Sequence, residues 1–250
     1  MDATMPLQLE VYPTDAEAFE AAAALAAECL RAGAAGRPLA VALAGGRGGR
    51  GVMVALAERA DAPWDRIEWY WGDERCVPPD DPRSNVRSAR ESLLAPRGVA
   101  AARIHSPLVE LGDPEAIAAR YAATLESAGA TVFDLVLLGM GTNGHVASLM
   151  PGCRALDAMA PVAAVSLDEV SEDPRVPRIT ITPPVLAAAR QVAVVTTGAA
   201  KAGPVAAALR GPDDPQRIPA QLVRPSPRVR WIIDRAAAAE LLRDARPVAQ

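Results

Sequence analysis

Cysteine, histidine and aromatic residues are scarce in this chain, and each shortage removes a class of readings. Three cysteines, Cys29, Cys76 and Cys153, are spread over 250 residues. They are odd in number and never spaced C-x-x-C, so neither a disulfide framework nor a zinc knuckle is indicated. Aromatics make up 4% of a chain whose residues are 50% apolar and rich in alanine, which favours close helix-on-sheet packing over an aromatic-filled barrel. There is no basic tract, and the formal net charge is -4, which argues against a nucleic-acid partner. No apolar run approaches the roughly 18 residues that span a membrane. The acidic, polar N-terminus lacks a signal-peptide core. Asp80 and Asp81 read as a solvated turn, and no His/Cys/carboxylate cluster has ligand spacing. The expectation is a soluble, cytoplasmic protein without metal, cofactor, membrane or nucleic-acid partner.

What is present alternates strand and helix. Leu7 to Tyr12 reads as a strand, and Thr14-Asp15-Ala16-Glu17 is a capping box opening a helix with apolar residues at 3.6 spacing. Strands are predicted at Leu39 to Ala44, Ile67 to Trp71, Phe133 to Leu138, Val162 to Leu167, Ile179 to Ile181, Val192 to Thr197 and Val229 to Ile233. Helices are predicted at Val52 to Ala60, Ser84 to Leu94, from Asp113-Pro114, at Lys201 to Leu209 and at Ala236 to Arg243. Such alternation means βαβ units and a mostly parallel sheet with helices on both faces. The Pro-rich stretches Glu172 to Pro177 and Gly211 to Pro219 read as surface loops rather than linkers, so 1-250 is expected to form a single α/β domain.

The richest stretch is Phe133 to Gly152. A buried strand ends in a glycine turn, Gly139, Gly141 and Gly144, followed at once by His145, one of only two histidines. Ligands of open α/β sheets bind outside the carboxyl ends of the strands, and His has the ordinary pKa best suited to proton transfer near neutrality. Gly139-x-Gly141-x-x-Gly144 also spells the dinucleotide fingerprint, with Asp168 placed like a ribose-binding acid. The fingerprint must open a long helix, however, and Pro151-Gly152 stops any helix after about two turns. His105, in a loop, reads as structural.

Other strand ends converge on the same side. Gly45-Gly46-Arg47-Gly48-Gly49-Arg50 leads into a helix and suits an anion. Gly72-Asp73-Glu74-Arg75 follows an aromatic strand, Gly198-Ala199-Ala200-Lys201 opens another helix, and Arg178 precedes a short strand. Together they suggest a small anionic substrate with His145 as base.

These residues resemble a family. GDERCVP at 72–78, with Ser84-Asn85 and Leu93-Leu94, resembles the "GDER-x-VP…SN…LL" block of 6-phosphogluconolactonases. LGMGTNGHVASLMP at 138–151 resembles their "LG-x-G-x-DGH-x-ASLFP", RITIT at 178–182 their "RITLT", and TGAAKA at 197–202 their "TG-x-x-KA". The resemblance runs in register from about Gly45 to Lys201. It implies an α/β fold of the glucosamine-6-phosphate deaminase/ribose-5-phosphate isomerase type. It also implies hydrolysis of 6-phosphoglucono-1,5-lactone in the oxidative pentose phosphate pathway, without metal or cofactor; a monomer or homodimer is expected. Two positions depart. The family's "GGSTP" is Gly45-Gly46-Arg47-Gly48-Gly49 here, and the acid before Gly-His is Asn143, which cannot hold His145 as an ion pair.

The expected catalytic residues are His145 as general base, Asp73 to orient hydroxyls or His145, and Arg75, or amides near Gly46, at the oxyanion. The expected substrate-binding residues are Gly45, Gly46, Arg47, Glu74, Asn85, Gly141, Asn143, Arg178 and Lys201, with Arg47, Arg178 and Lys201 on the phosphate. Two rivals remain. A glucosamine-6-phosphate deaminase/isomerase needs a carboxylate to take a proton from carbon, and its relatives read "GHIAFNEP" where this chain has His145-Val146-Ala147-Ser148-Leu149. A non-catalytic sugar-phosphate binder is kept open by Arg47 and Asn143.

Overall fold

Apolar residues two apart along each strand face the same side of a sheet, and here both sides are covered. The computed structural model describes residues 8–33, 36–224 and 228–244. Its strands are β1 (Leu9–Tyr12), β2 (Leu39–Leu43), β3 (Ile67–Trp71), β4 (Asp73–Arg75), β5 (Leu135–Leu138), β6 (Val162–Val165), β7 (Arg178–Ile181), β8 (Val192–Thr196) and β9 (Val229–Asp234). Its α-helices are α1 (Asp15–Ala32), α2 (Gly46–Ala57), α3 (Asn85–Ala89), α4 (Pro114–Ser127), α5 (Pro183–Ala188), α6 (Ala202–Arg210) and α7 (Ala239–Asp244). Six strands form a parallel sheet in the order β1-β9-β8-β5-β2-β3.

Val41, Leu43, Trp69, Trp71, Leu137 and Val195 point to one face, where they meet α1 and α2. Ala42, Tyr70, Val136, Leu138, Val194 and Trp231 point to the other, against Ile117, Tyr121 and Leu125 of α4 and Val205 of α6. This is period-two patterning with both faces buried, as a parallel sheet requires. Each fully buried Val, Leu or Ile contributes about 1.5–3 kcal/mol. The capping box of α1 forms as expected, with Thr14 Oγ1 accepting from the Glu17 amide. On α4 the Tyr121 hydroxyl accepts from Trp71 N at 2.7 Å and donates to Trp71 O at 3.1 Å, which pins the end of β3. The chain therefore leaves β3 in a fixed direction at Gly72-Asp73.

The mostly parallel α/β expectation holds, with local differences. Val162–Val165 does not join the main sheet. It pairs antiparallel with β7, which pairs antiparallel with β4, in a second sheet ordered β4-β7-β6. Asp73-Glu74-Arg75, expected only as charged residues following a strand, is itself the edge strand of that sheet, and its buried carboxylates find hydrogen-bond donors within the protein. Val162, Val165, Ile179 and Ile181 share a core with Val136 and Val194 of the main sheet.

The glycine run is not a loop ahead of a helix at Val52 but the first turns of α2 itself. A Cβ at Gly48 would lie 2.9 Å from Val195 O, and one at Gly49 would lie 2.3 Å from Ala44 O, so glycine lets the helix seat against the strand ends. No helix follows His145; the chain turns through short bridges Met140–Val146 and Val146–Leu149. Helix α5 was not anticipated, and Leu7 of the predicted first strand lies outside the described residues. No helix among the described residues is long and apolar enough to cross a membrane.

Candidate active site

The carboxyl ends of β2, β3, β5 and β8 open on one cleft of about 490 Å³. Gly45, Gly46, Arg47, Asp73, Arg75, Asn85, Gly141, His145, Arg178 and Lys201 all line it, far apart in sequence as they are. Two of the expected residues do not line it, and one that lines it is turned aside.

His145 is delivered by β5. Its side chain is 13% exposed, and the turn before it is shaped around the ring: a Cβ at Gly141 would lie 2.0 Å from His145 Nδ1. Asn143 stands behind the ring rather than in the cleft. Its Oδ1 accepts from His145 Nδ1 at 2.8 Å and from the His145 amide at 3.1 Å, while its Nδ2 donates to Ser171 Oγ at 2.9 Å. That network sets the imidazole tautomer: Nδ1 carries the proton, and Nε2 has no protein partner among the described residues. Burial pushes the imidazole pKa well down, to about 4. Arg178 and Lys201 act in the same direction, against Glu172 and Asp73. At neutral pH the ring is an uncharged base.

Beyond His145 the chain turns through Ala147 at φ 49°, a left-handed conformation that costs a residue with a Cβ about 1–2 kcal/mol. This turn lets the Ser148 hydroxyl donate to Asp73 Oδ2 at 2.7 Å, joining the β5 loop to β4. Asp73 is 6% exposed, with its carbonyl accepting from Asn85 Nδ2 at 2.9 Å. Asn85 Oδ1 is buried without a partner and presses on Gly45, where a Cβ would lie 1.8 Å away.

Glu74 faces away from the cleft, so its expected substrate role is corrected. Strand alternation puts it opposite Asp73, and its carboxylate accepts from Asn85 N (2.8 Å), Val86 N (2.7 Å) and Ser84 Oγ (3.0 Å), capping α3. Burial pushes its carboxyl pKa up, and these donors pull it back only in part. Arg47 is corrected as well. Its backbone is in the cleft wall, but its guanidinium pairs with Asp15 at the start of α1 and is 73% exposed.

The remaining cations differ in what they already hold. Arg75 donates from Nη1 to Arg83 O at 2.6 Å and keeps a buried, unpartnered Nε. Arg178, 2% exposed, donates from Nη2 to Glu172 O (3.2 Å) and Pro174 O (3.0 Å), and its Nε is also unpartnered. The Lys201 ammonium makes no direct hydrogen bond or ion pair among the described residues, and burial lowers its pKa. The cleft thus offers an uncharged base beside cationic groups with free N–H donors, which suits a small anion carrying an electrophilic carbon.

Sequence reading missed Glu172. It was assigned to a surface loop, yet its Oε2 lies 3.7 Å from His145 Nδ1 and it lines the cleft. The one signal for it was negative, the missing acid at Asn143. Thr196, at the end of β8, also lines the cleft with a buried, unpartnered hydroxyl. His105 is structural as expected: its Nε2 lies 2.7 Å from Glu68 Oε2, and its ring stacks on Tyr70 at 4.6 Å. Among the described residues, no three His, Cys, Asp or Glu side chains are grouped to hold a metal ion.

Known proteins are similar to this chain in sequence and in fold. A family model described as glucosamine-6-phosphate isomerases/6-phosphogluconolactonase matches residues 13–231. The 6-phosphogluconolactonase of Streptomyces coelicolor is 37% identical over 262 residues, covering 97% of each chain. That of Mycobacterium tuberculosis is 34% identical over 251 residues, 95% of this chain and 99% of its own. The solved 6-phosphogluconolactonase of Trypanosoma brucei superposes with a TM-score of 0.81 at 28% identity, covering 95% of this chain and all of its own. By that match and these relatives, the chain belongs to the glucosamine-6-phosphate isomerase/6-phosphogluconolactonase family.

Proposed function

We propose that this chain hydrolyses 6-phosphoglucono-1,5-lactone to 6-phosphogluconate, a step of the oxidative pentose phosphate pathway. The observation that carries this reading is the uncharged His145, with Nδ1 held by Asn143 and Nε2 left for a water. Nε2 takes a proton as the water oxygen attacks C1. The carbonyl oxygen gains the negative charge, and Arg75 or the amides near Gly46 stabilise it. The tetrahedral intermediate collapses, the C1–ring oxygen bond breaks, and the proton on Nε2 passes to the departing ring oxygen. Asp73 and Asn85 orient hydroxyls of the sugar. Lys201 and the amides at the start of α2 hold the phosphate, with Arg178 beside them. An activated ester needs no Lewis acid, so neither metal nor organic cofactor has a role.

Residues 1–250 act as one domain, in the cytoplasm, as a monomer or homodimer. The test is an assay of lactone opening corrected for the spontaneous rate. Turnover well above that rate is expected. Deamination of glucosamine 6-phosphate with no lactone turnover would overturn the reading, as would sugar-phosphate binding without any turnover.

A further inference from the structure

A base that gains a proton becomes a cation, and something must steady it. Asn143 accepts the Nδ1 hydrogen bond but brings no charge to the imidazolium. Four charged groups act on the ring. Arg178 and Lys201 oppose its protonation; Asp73 favours it, but one of its oxygens is already held by Ser148. Glu172 is the carboxylate within ion-pair distance of the ring, with Oε2 at 3.7 Å from Nδ1.

Its placement is built, not incidental. Glu172 Oε1 accepts from the Thr142 hydroxyl and, at 2.9 Å, from the Asn143 amide. Ser171 accepts from Asn143 Nδ2, and the buried Arg178 holds the carbonyls of Glu172 and Pro174. Desolvation raises the Glu172 pKa, but it is outweighed by Thr142, His145, the Asn143 amide and Lys201, and the net shift is downward. One carboxylate oxygen thus fixes the loop before His145, and the other faces the ring.

We propose that Glu172 is a positioning residue for His145, supplying from the β6–β7 loop the negative charge that Asn143 does not. This rests on His145 being the base of lactone hydrolysis. The proton stays on Nε2 until it reaches the ring oxygen, and Glu172 receives none.

The test is Glu172→Gln, whose amide oxygen can keep the contacts to Thr142 and Asn143 while removing the charge. The expected result is a kcat lowered by about ten- to a hundredfold with KM little changed. The acid limb of the kcat/KM profile should move to lower pH, because the imidazolium has lost its nearest carboxylate. Adding Asn143→Asp to Glu172→Gln should recover most of kcat and move the limb back. With only two histidines in the chain, His145 can be titrated by NMR without substrate, and its pKa should fall in Glu172→Gln. Glu172→Asp, which keeps the charge on a shorter arm, should lie between wild type and Glu172→Gln.

An unmoved His145 titration in Glu172→Gln would overturn the proposal. So would a lost kcat that Asn143→Asp fails to restore, which would mark Glu172 as a loop brace alone. If His145→Ala retained wild-type turnover, the base assignment would fail instead, and the titration result would stand apart from it.

Discussion

Arg47 and Lys201 show how little a residue type says until its partners are known. Both are cations at glycine turns, and both were expected on the phosphate. Arg47 is committed to Asp15 and faces solvent, whereas Lys201 lines the cleft with an ammonium that has no hydrogen bond or ion pair among the described residues. An exposed ion pair is worth about 0–1 kcal/mol, so Arg47→Ala should change kcat/KM by less than about fivefold. A charge-assisted contact is worth about 1.5–3 kcal/mol, so Lys201→Ala should weaken use of the phosphorylated lactone by roughly ten- to a hundredfold. Unphosphorylated gluconolactone should be nearly indifferent to Lys201→Ala. Measuring kcat/KM for both lactones in both variants checks the pair. Equal losses on the two substrates would show that Lys201 acts on the chemistry or the fold rather than on the phosphate.

The elements that carry the site are turns whose shape is set by what they touch. Gly141 is the clearest case, since any Cβ there collides with the imidazole. Gly141→Ala should displace the ring and lower kcat by about 10²-fold, because a misplacement near 1 Å has that cost. Tm should change little, as the turn lies at the cleft wall; a variant with full activity would contradict the packing described. The strand ends and His145 were legible in sequence because apolar runs that stop at glycine mark the carboxyl edge of a parallel sheet. The second sheet was not legible. Val162–Val165 has the same apolar pattern as a main-sheet strand, and only its antiparallel pairing with β7 separates the two. Glu74 was misplaced because buried and solvated acids look alike until strand alternation points one of them at the amides of α3. Glu172 was missed because its link to His145 crosses from the β6–β7 loop to the β5 turn, and no local spacing records such a contact.

For the whole molecule, burying His145 links catalysis to stability through one ring. An unfolded imidazole takes its proton near its ordinary value of about 6.5. In the folded chain that value lies at about 4. Between the two, the unfolded chain binds more protons, so this contribution is full above the unfolded value and is lost as pH falls toward the folded one. Thermal melts should show stability declining from pH 6.5 toward 4, and His145→Asn should flatten part of that decline; parallel curves for both proteins would contradict it. The same neutral ring should keep kcat/KM level below pH 6.5, where an ordinary histidine would already be protonated. The most direct test of the account is the corrected hydrolysis of 6-phosphoglucono-1,5-lactone by wild type and His145→Ala, each shown to be folded by its melt. The account predicts a fall in kcat/KM of about 10²–10⁴. A folded His145→Ala protein that opens the lactone within a few-fold of the wild-type rate would contradict it.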